Sequence, residues 1–220
     1  MPDALWSGRI FMESHAMNQT TTAPGPLEQR LGALLQEAIM ALQSGQRARA
    51  EKAANAAVAL TPDNADAHVV LATVLHNTGR PREAEHHYVE CLRLRPYHVR
   101  ALTNLGLLKL NAGQATEAVA ALETAVKVSP TSTESQHLLA RAYGLGGQVE
   151  KSLETFERLL KDASHDVEVL TGYARALIAA GRAEEAVKML RRAEAIDPDH
   201  PGIAPLLAQA RTPQQTDKSA

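Results

Sequence analysis

Five glycines recur at one fixed interval: Gly45, Gly79, Gly113, Gly147 and Gly181, each 34 residues after the last. Pro62, Pro96, Pro130 and Pro198 keep the same beat, with Ser164 standing where a further proline would fall. A period of that length, held without slippage, is what a stack of helix pairs writes into a sequence. It restricts the chain to a repeat architecture, in which each unit packs on its neighbours and no central core is required.

With every proline placed at the thirty-second position, the units run 31–64, 65–98, 99–132, 133–166 and 167–200. Positions 4, 7, 8 and 11 then share one face of a first helix, and positions 20, 24 and 27 one face of a second. Unit two fills them with His68, Leu71, Ala72, Leu75, Ala84, Tyr88 and Cys91, and unit three with Leu102, Leu105, Gly106, Lys109, Ala118, Leu122 and Ala125. Unit four offers Leu139, Ala140, Tyr143, Ser152, Phe156 and Leu159. Unit five offers Leu170, Tyr173, Ala174, Leu177, Ala186, Leu190 and Ala193. Small residues at 8, 20 and 27 let the two backbones approach. The glycine suits a left-handed residue closing the first helix, and the proline ends the second. Asp63, Asn64, Ser132 and Asp166 are placed to cap the following first helices.

These residues resemble the tetratricopeptide-repeat (TPR) family, whose signature has a large residue at 4, Leu-Gly/Ala at 7 and 8, Ala at 20 and 27, and Pro at 32. The departures are His68 at the usual Trp position, Glu37 at position 7 and Lys109 at position 11. The resemblance implies an all-α fold: a right-handed α-solenoid (a TPR superhelix) of stacked antiparallel helix pairs. Within a domain spanning 27–211, residues 201–211 are expected to form a short capping helix, with Ile203, Leu206, Leu207 and Ala210 on one stripe. Residues 1–26, which hold Trp6, Ile10 and Phe11, read as a disordered extension or a docking element, and 212–220 as a disordered tail. Unit one is the weak member, because Ala50, Ala54 and Ala57 line its second helix.

Composition excludes several roles. Lys and Arg total 23 against 25 Asp and Glu, so the net charge is −2 and no basic stripe exists to neutralise phosphates. No nucleic acid is expected as a partner. The single cysteine, Cys91, rules out an internal disulfide and falls at a small-residue core position. Neither a signal-peptide run nor an apolar stretch of membrane-spanning length occurs, so a cytoplasmic chain without direct membrane insertion is expected. Nine histidines invite a metal reading. His86 and His87, with Glu83 one turn away, supply too few ligands for a site and read as a solvated helix face. His68 reads as a partly buried spacer, and His98 and His165 as turn or capping residues. Gly144–Leu145–Gly146–Gly147 falls at a helix end with no strand before it, so it is no phosphate loop. No metal, cofactor or catalytic residue is expected.

The resemblance assigns positions 2, 5, 6, 9, 12 and 13 of the first helices to a concave, partner-facing surface. The candidate binding residues there are Thr73, His76, Arg100, Asn104, Leu107, His137, Arg141, Thr171 and Arg175. Asn104 both donates and accepts, which suits a peptide backbone. Arg141 and Arg175 recur at one place in successive units, as do Glu134 and Glu168, and these charges either contact a partner or pair with each other. Relatives that grip a C-terminal carboxylate carry Lys, Asn and Arg around the central Asn. Here Val69, Thr73, Glu134 and Leu138 stand there, so that clamp is absent. The expected function is a non-enzymatic scaffold or adaptor that holds a protein or peptide segment, as a monomer or weak homo-oligomer. A self-assembling structural protein and a regulatory subunit of a separate enzyme are the alternatives. The 20 residues after unit five are too few for a catalytic domain.

Overall fold

The computed structural model describes residues 25–211, and every regular element among them is a helix. Helices α1 (Pro26–Gln43) and α2 (Arg47–Leu60) form unit one, α3 (Ala65–Asn77) and α4 (Pro81–Leu94) unit two, and α5 (Val99–Asn111) and α6 (Ala115–Val128) unit three. Units four and five are α7 (Thr133–Leu145) with α8 (Val149–Asp162), and α9 (Val167–Ala179) with α10 (Ala183–Ile196). A last helix, α11 (Ile203–Arg211), follows. Apart from Gly25 and Pro26, which open α1, the segments 1–26 and 212–220 lie outside the described residues.

Each first helix ends in the same way. The five periodic glycines have φ between 71° and 83°, a conformation that costs a side-chain-bearing residue about 1–2 kcal/mol. The residue after each glycine donates its N–H back across the last turn, as in Gln114 N to Lys109 O at 2.9 Å, while Gly113 N reaches Leu110 O at 3.0 Å. This is the Schellman closure. Side chains of Asn64, His98, Ser132 and Asp166 accept the N–H of Ala67, Ala101, Ser135 and Val169, capping four first helices. Asp63, a candidate cap, makes way for its neighbour Asn64. The second helices have no side-chain cap, and in α4 and α10 the N-cap residues Arg80 and Arg182 instead pair with Glu83 and Glu185 of the first turn.

Alternate layers seal the stack. First helices pack on the next first helices, and each second helix bridges its own unit to the following one. Position 24 supplies the fully buried wedges Tyr88, Leu122, Phe156 and Leu190. Polar ties cross the joints as well. Tyr143 donates to Glu123 at 2.7 Å, and Tyr173 donates to Glu157 at 2.8 Å. Burial first, and then the facing carboxylate, pushes both hydroxyls up to about 12. Lys109, the departure at position 11, is held by Glu85 at 2.7 Å, so an ion pair replaces an apolar contact between units two and three. Ile203, Leu206, Leu207 and Ala210 are all buried, and α11 closes the stack against α9 and α10. Cys91 is fully buried, and burial pushes its thiol up to about 11.

Unit one has Ala54 where the other units bury a Leu or an aromatic ring. Glu37 pairs with Arg49 at 2.8 Å instead of filling a joint. A missing Leu-sized side chain forgoes about 2 kcal/mol of burial. Amides of α1 and α2 are therefore expected to exchange hydrogen faster than those of α5 and α6. Equal protection in a native-state exchange experiment would contradict this.

Candidate functional site

The first helices present two cavities that meet at Thr73 and Asn104. One, of about 440 Å³, is walled by Ile39, Leu42 and Gln43 of α1 and by Val70 and Val74 of α3, with Arg100 and Glu134 on its polar side. The other, of about 250 Å³, is lined by His76, Asn77, Tyr88, Leu107 and Asn111. Asn104 Nδ2 donates to Thr73 Oγ1 at 3.3 Å, and Thr73 Oγ1 in turn donates to Val69 O at 2.8 Å. That chain orients the Asn104 amide. The Tyr88 hydroxyl also interacts with this amide, which still has hydrogen-bonding capacity to spare for a peptide backbone. Arg100 and Glu134 face the same space without pairing with each other.

A third cavity, of about 160 Å³, lies toward the C-terminal end between Arg141 of α7 and Arg175 of α9. Leu145, Phe156, Ala176 and Ala179 give it apolar walls, with Gly144 and Gly172 at its base. Thus Thr73, His76, Arg100, Asn104 and Leu107 come together around the first two cavities, and Arg141 and Arg175 around the third.

Two candidates, Thr171 and His137, line none of these three cavities. Thr171 is buried, and its hydroxyl is spent on Val167 O at 2.9 Å and Glu168 O at 3.1 Å within its own helix. His137 is wedged against Phe156, with ring centroids 5.9 Å apart, because Gly172 leaves no side chain to displace it. Burial, and then the nearby Arg141 guanidinium, holds the His137 ring below the usual histidine range. Val69, Val70, Leu110, Leu138 and Ile178, also assigned to the concave surface, are buried between adjacent first helices. The open face is therefore narrower than helical phase alone indicates. The α1 wall was missed, yet Ile39, Leu42 and Gln43 hold positions 9, 12 and 13 of unit one, so the same rule applied there would have found them.

His87 departs from the solvated-face expectation. Its Nδ1 lies 3.0 Å from His68 Nδ1, while His68 Nε2 lies 2.8 Å from Pro62 O. A carbonyl only accepts, so His68 carries its proton on Nε2 and, when neutral, receives one from His87 at Nδ1. A second positive charge cannot join this pair without breaking it. Burial first, then the positive charges of His68 and His86, holds His87 below the ordinary histidine value, and burial alone does so for His76. With folded pKa values depressed, the stability these rings contribute is intact above about 6.5 and is lost as pH falls below it. The melting temperature is expected to drop between pH 7.5 and 5.5, above the carboxylate range, and to drop less in His87→Leu. A flat profile over that window would contradict it. Among the described residues no three His, Cys, Asp or Glu side chains converge on a metal-sized site, and no helix is long and apolar enough to cross a membrane.

The comparisons with known proteins agree with this geometry. The family model of the tetratricopeptide repeat matches residues 41–88, 79–142, 109–163 and 145–210. No curated protein sequence matches the chain. Among solved structures, the chain is similar to PilF of Pseudomonas aeruginosa, with a TM-score of 0.71 at 21% identity over 78% of each chain. It is also similar to MamA of Desulfovibrio magneticus, with a TM-score of 0.70 at 17% identity over 80% of this chain and 99% of that one. A third is YrrB, described as a TPR protein with an unusual peptide-binding site, with a TM-score of 0.67 at 18% identity over 84% of this chain and 97% of that one. At such identities the structural likeness speaks to the fold alone. The family matches run through all five units, and the chain belongs to the tetratricopeptide-repeat family.

Proposed function

We propose that the chain is a non-enzymatic adaptor that holds a peptide segment of a partner protein along its concave face, across the cavities that meet at Asn104. One observation carries this reading. An oriented amide with spare hydrogen-bonding capacity stands between an apolar wall, built by α1 and α3, and the unpaired charges of Arg100 and Glu134. An extended segment offers the complements: backbone N–H groups for Asn104 and alternating side chains for the two cavities. The peptide-binding site described for YrrB lends support by fold likeness. In this reading the protein acts in the cytoplasm without nucleic acid, and its partner is a protein.

Affinity capture from the native host's lysate tests it, comparing the wild-type chain with an Arg100→Glu/Asn104→Ala variant of equal helicity. A partner held by the wild type and lost by the variant supports the reading, and identical catches overturn it.

Self-association through unit one is a second reading. It is favoured by the exposed side chains of Leu27, Ile39 and Met40 and by a cavity of about 320 Å³ lined by Ala33, Glu37, Met40 and Arg49. Sedimentation from micromolar to near-millimolar concentration separates the two, because a monomer throughout removes it.

A further inference from the structure

Among the described residues, six of the fifteen arginines are already spoken for. Arg49, Arg80, Arg93, Arg95, Arg182 and Arg191 each pair with a carboxylate. Arg141 and Arg175 are different. They line one cavity from successive first helices, and neither has a hydrogen bond or an ion pair with any described residue. Burial, and then the like charge of Arg175, disfavours the charge on Arg141, and the same arginines weigh against a proton on His137. The Glu168 carboxylate favours the Arg141 charge without an ion pair to it, and is tied to His200 Nε2 at 3.0 Å. The spot is therefore positively charged and partly desolvated, and no ion pair neutralises it.

Beneath the two guanidinium groups the cavity is apolar. Leu145 is 64% exposed and lines the cavity together with Phe156, Ala176 and Ala179. Gly172 lets the Phe156 ring that lines the cavity pack directly on the α9 backbone, since a methyl group there would lie 2.9 Å from that ring. The volume of about 160 Å³ admits one branched or aromatic side chain, not a whole small molecule.

We propose that this cavity is the specificity subsite of the peptide groove, and that it reads an internal Asp or Glu side chain of the partner next to a bulky apolar residue. The carboxylate takes the two arginine forks, and the neighbouring side chain fills the apolar floor. The assignment rests on the groove reading above and narrows the partner to acidic–apolar sequences. Guanidinium forks match a carboxylate in two-pronged geometry, and such charge-assisted bonds are about twice as strong as neutral ones. A monoanion is favoured over a phosphate dianion because Glu134 and Glu168 are exposed on the same helix faces and oppose a second negative charge. The family's C-terminal carboxylate clamp uses other positions, whose residues are replaced here.

The test is a selection of short random peptides displayed on phage through their C-termini, so that no free terminal carboxylate is offered. Baits are the wild-type chain, Arg141→Gln/Arg175→Gln and Asn104→Ala, each checked for unchanged helicity. Wild type is expected to enrich peptides with Asp or Glu adjacent to Leu, Ile, Phe or Trp. The best of these, as a synthetic amide, should weaken roughly tenfold or more when its acid becomes Gln or when the two arginines become Gln. The two losses should be non-additive when combined.

Peptides that lack acidic enrichment, or bind the double Gln variant as well as wild type while still losing affinity to Asn104→Ala, overturn this subsite and leave the groove reading standing. Peptides indifferent to all three substitutions overturn both. Preference for a free C-terminal carboxylate or a phosphoserine over an internal Glu overturns the assignment to a side-chain carboxylate. A synthetic peptide of residues 1–24, in which Asp3 is separated by Ala4 from Leu5 and Trp6, is the last probe. Binding of that peptide through Asp3 and both arginines, tighter than any selected sequence, would replace the separate partner with the chain's own N-terminus.

Discussion

Gly106→Val is expected to lower the unfolding free energy by about 3 kcal/mol, measured by urea titration of the helical signal. A β-carbon at Gly106 would sit 2.5 Å from Leu122 Cγ and 2.8 Å from its Cδ2. Leu122 is fully buried and cannot swing its branch point aside without moving α6 away from α5. The better helix propensity of a β-branched residue offsets less than 1 kcal/mol of that overpacking. Gly106→Ala should follow the same course with a smaller net loss, since its gain in propensity is nearer 1 kcal/mol. The cause is checked by a cycle with Leu122→Ala, which alone costs about 2–5 kcal/mol. In the Gly106→Ala background it should cost clearly less, because the added methyl group partly fills the space vacated. An additive cycle would show that the two side chains are not in conflict.

The second large effect falls at the joint between units four and five. Phe156→Ala is expected to cost about 3–5 kcal/mol. Its ring is almost completely buried, lies 6.0 Å from the Tyr173 ring and 5.9 Å from the His137 ring, and packs directly on Gly172. Stability in a stack is a sum of unit and nearest-neighbour contributions, so a hole at one joint uncouples what lies beyond it. Unit five with α11 should then melt in a separate, earlier transition, visible as a broadened or biphasic thermal curve. Phe156→Leu should keep a single transition. The same ring floors the Arg141–Arg175 cavity, so the Ala variant also enlarges the proposed apolar subsite. A sharp wild-type-like melt for Phe156→Ala would contradict the uncoupling.

Much of the fold was legible because its determinants are local. A glycine every 34 residues marks a left-handed closure whichever neighbours surround it, and all five adopt that closure. The stripe Ile203, Leu206, Leu207 and Ala210 identified α11 from helical phase alone. The site was legible only in part. Position 13 is exposed and position 9 exposed or half-buried, as phase requires, giving Arg141, Arg175 and the Ile39 wall. Position 5 failed, because Val69, Thr103 and Thr171 turn toward the neighbouring first helix and are buried. Phase within a helix says which side a residue is on, but not how closely the next helix crosses that side.

His68 and His87 make the same point. They lie 19 positions apart in sequence, on two helices of one pair, and nothing in their spacing reveals that their rings meet at 3.0 Å. Lys109 at an apolar position looked like a defect until Glu85, on the preceding unit, was found beside it.

The sequence by itself determined the repeat, the helix ends, the buried stripes and the cap, since each follows from backbone conformation or from periodicity along one helix. Only the tertiary structure decided which candidate residues remain open to a partner. Accessibility, pairing of charges and the shape of a cavity depend on distances between units, and the repeat fixes the order of those units but not their separation.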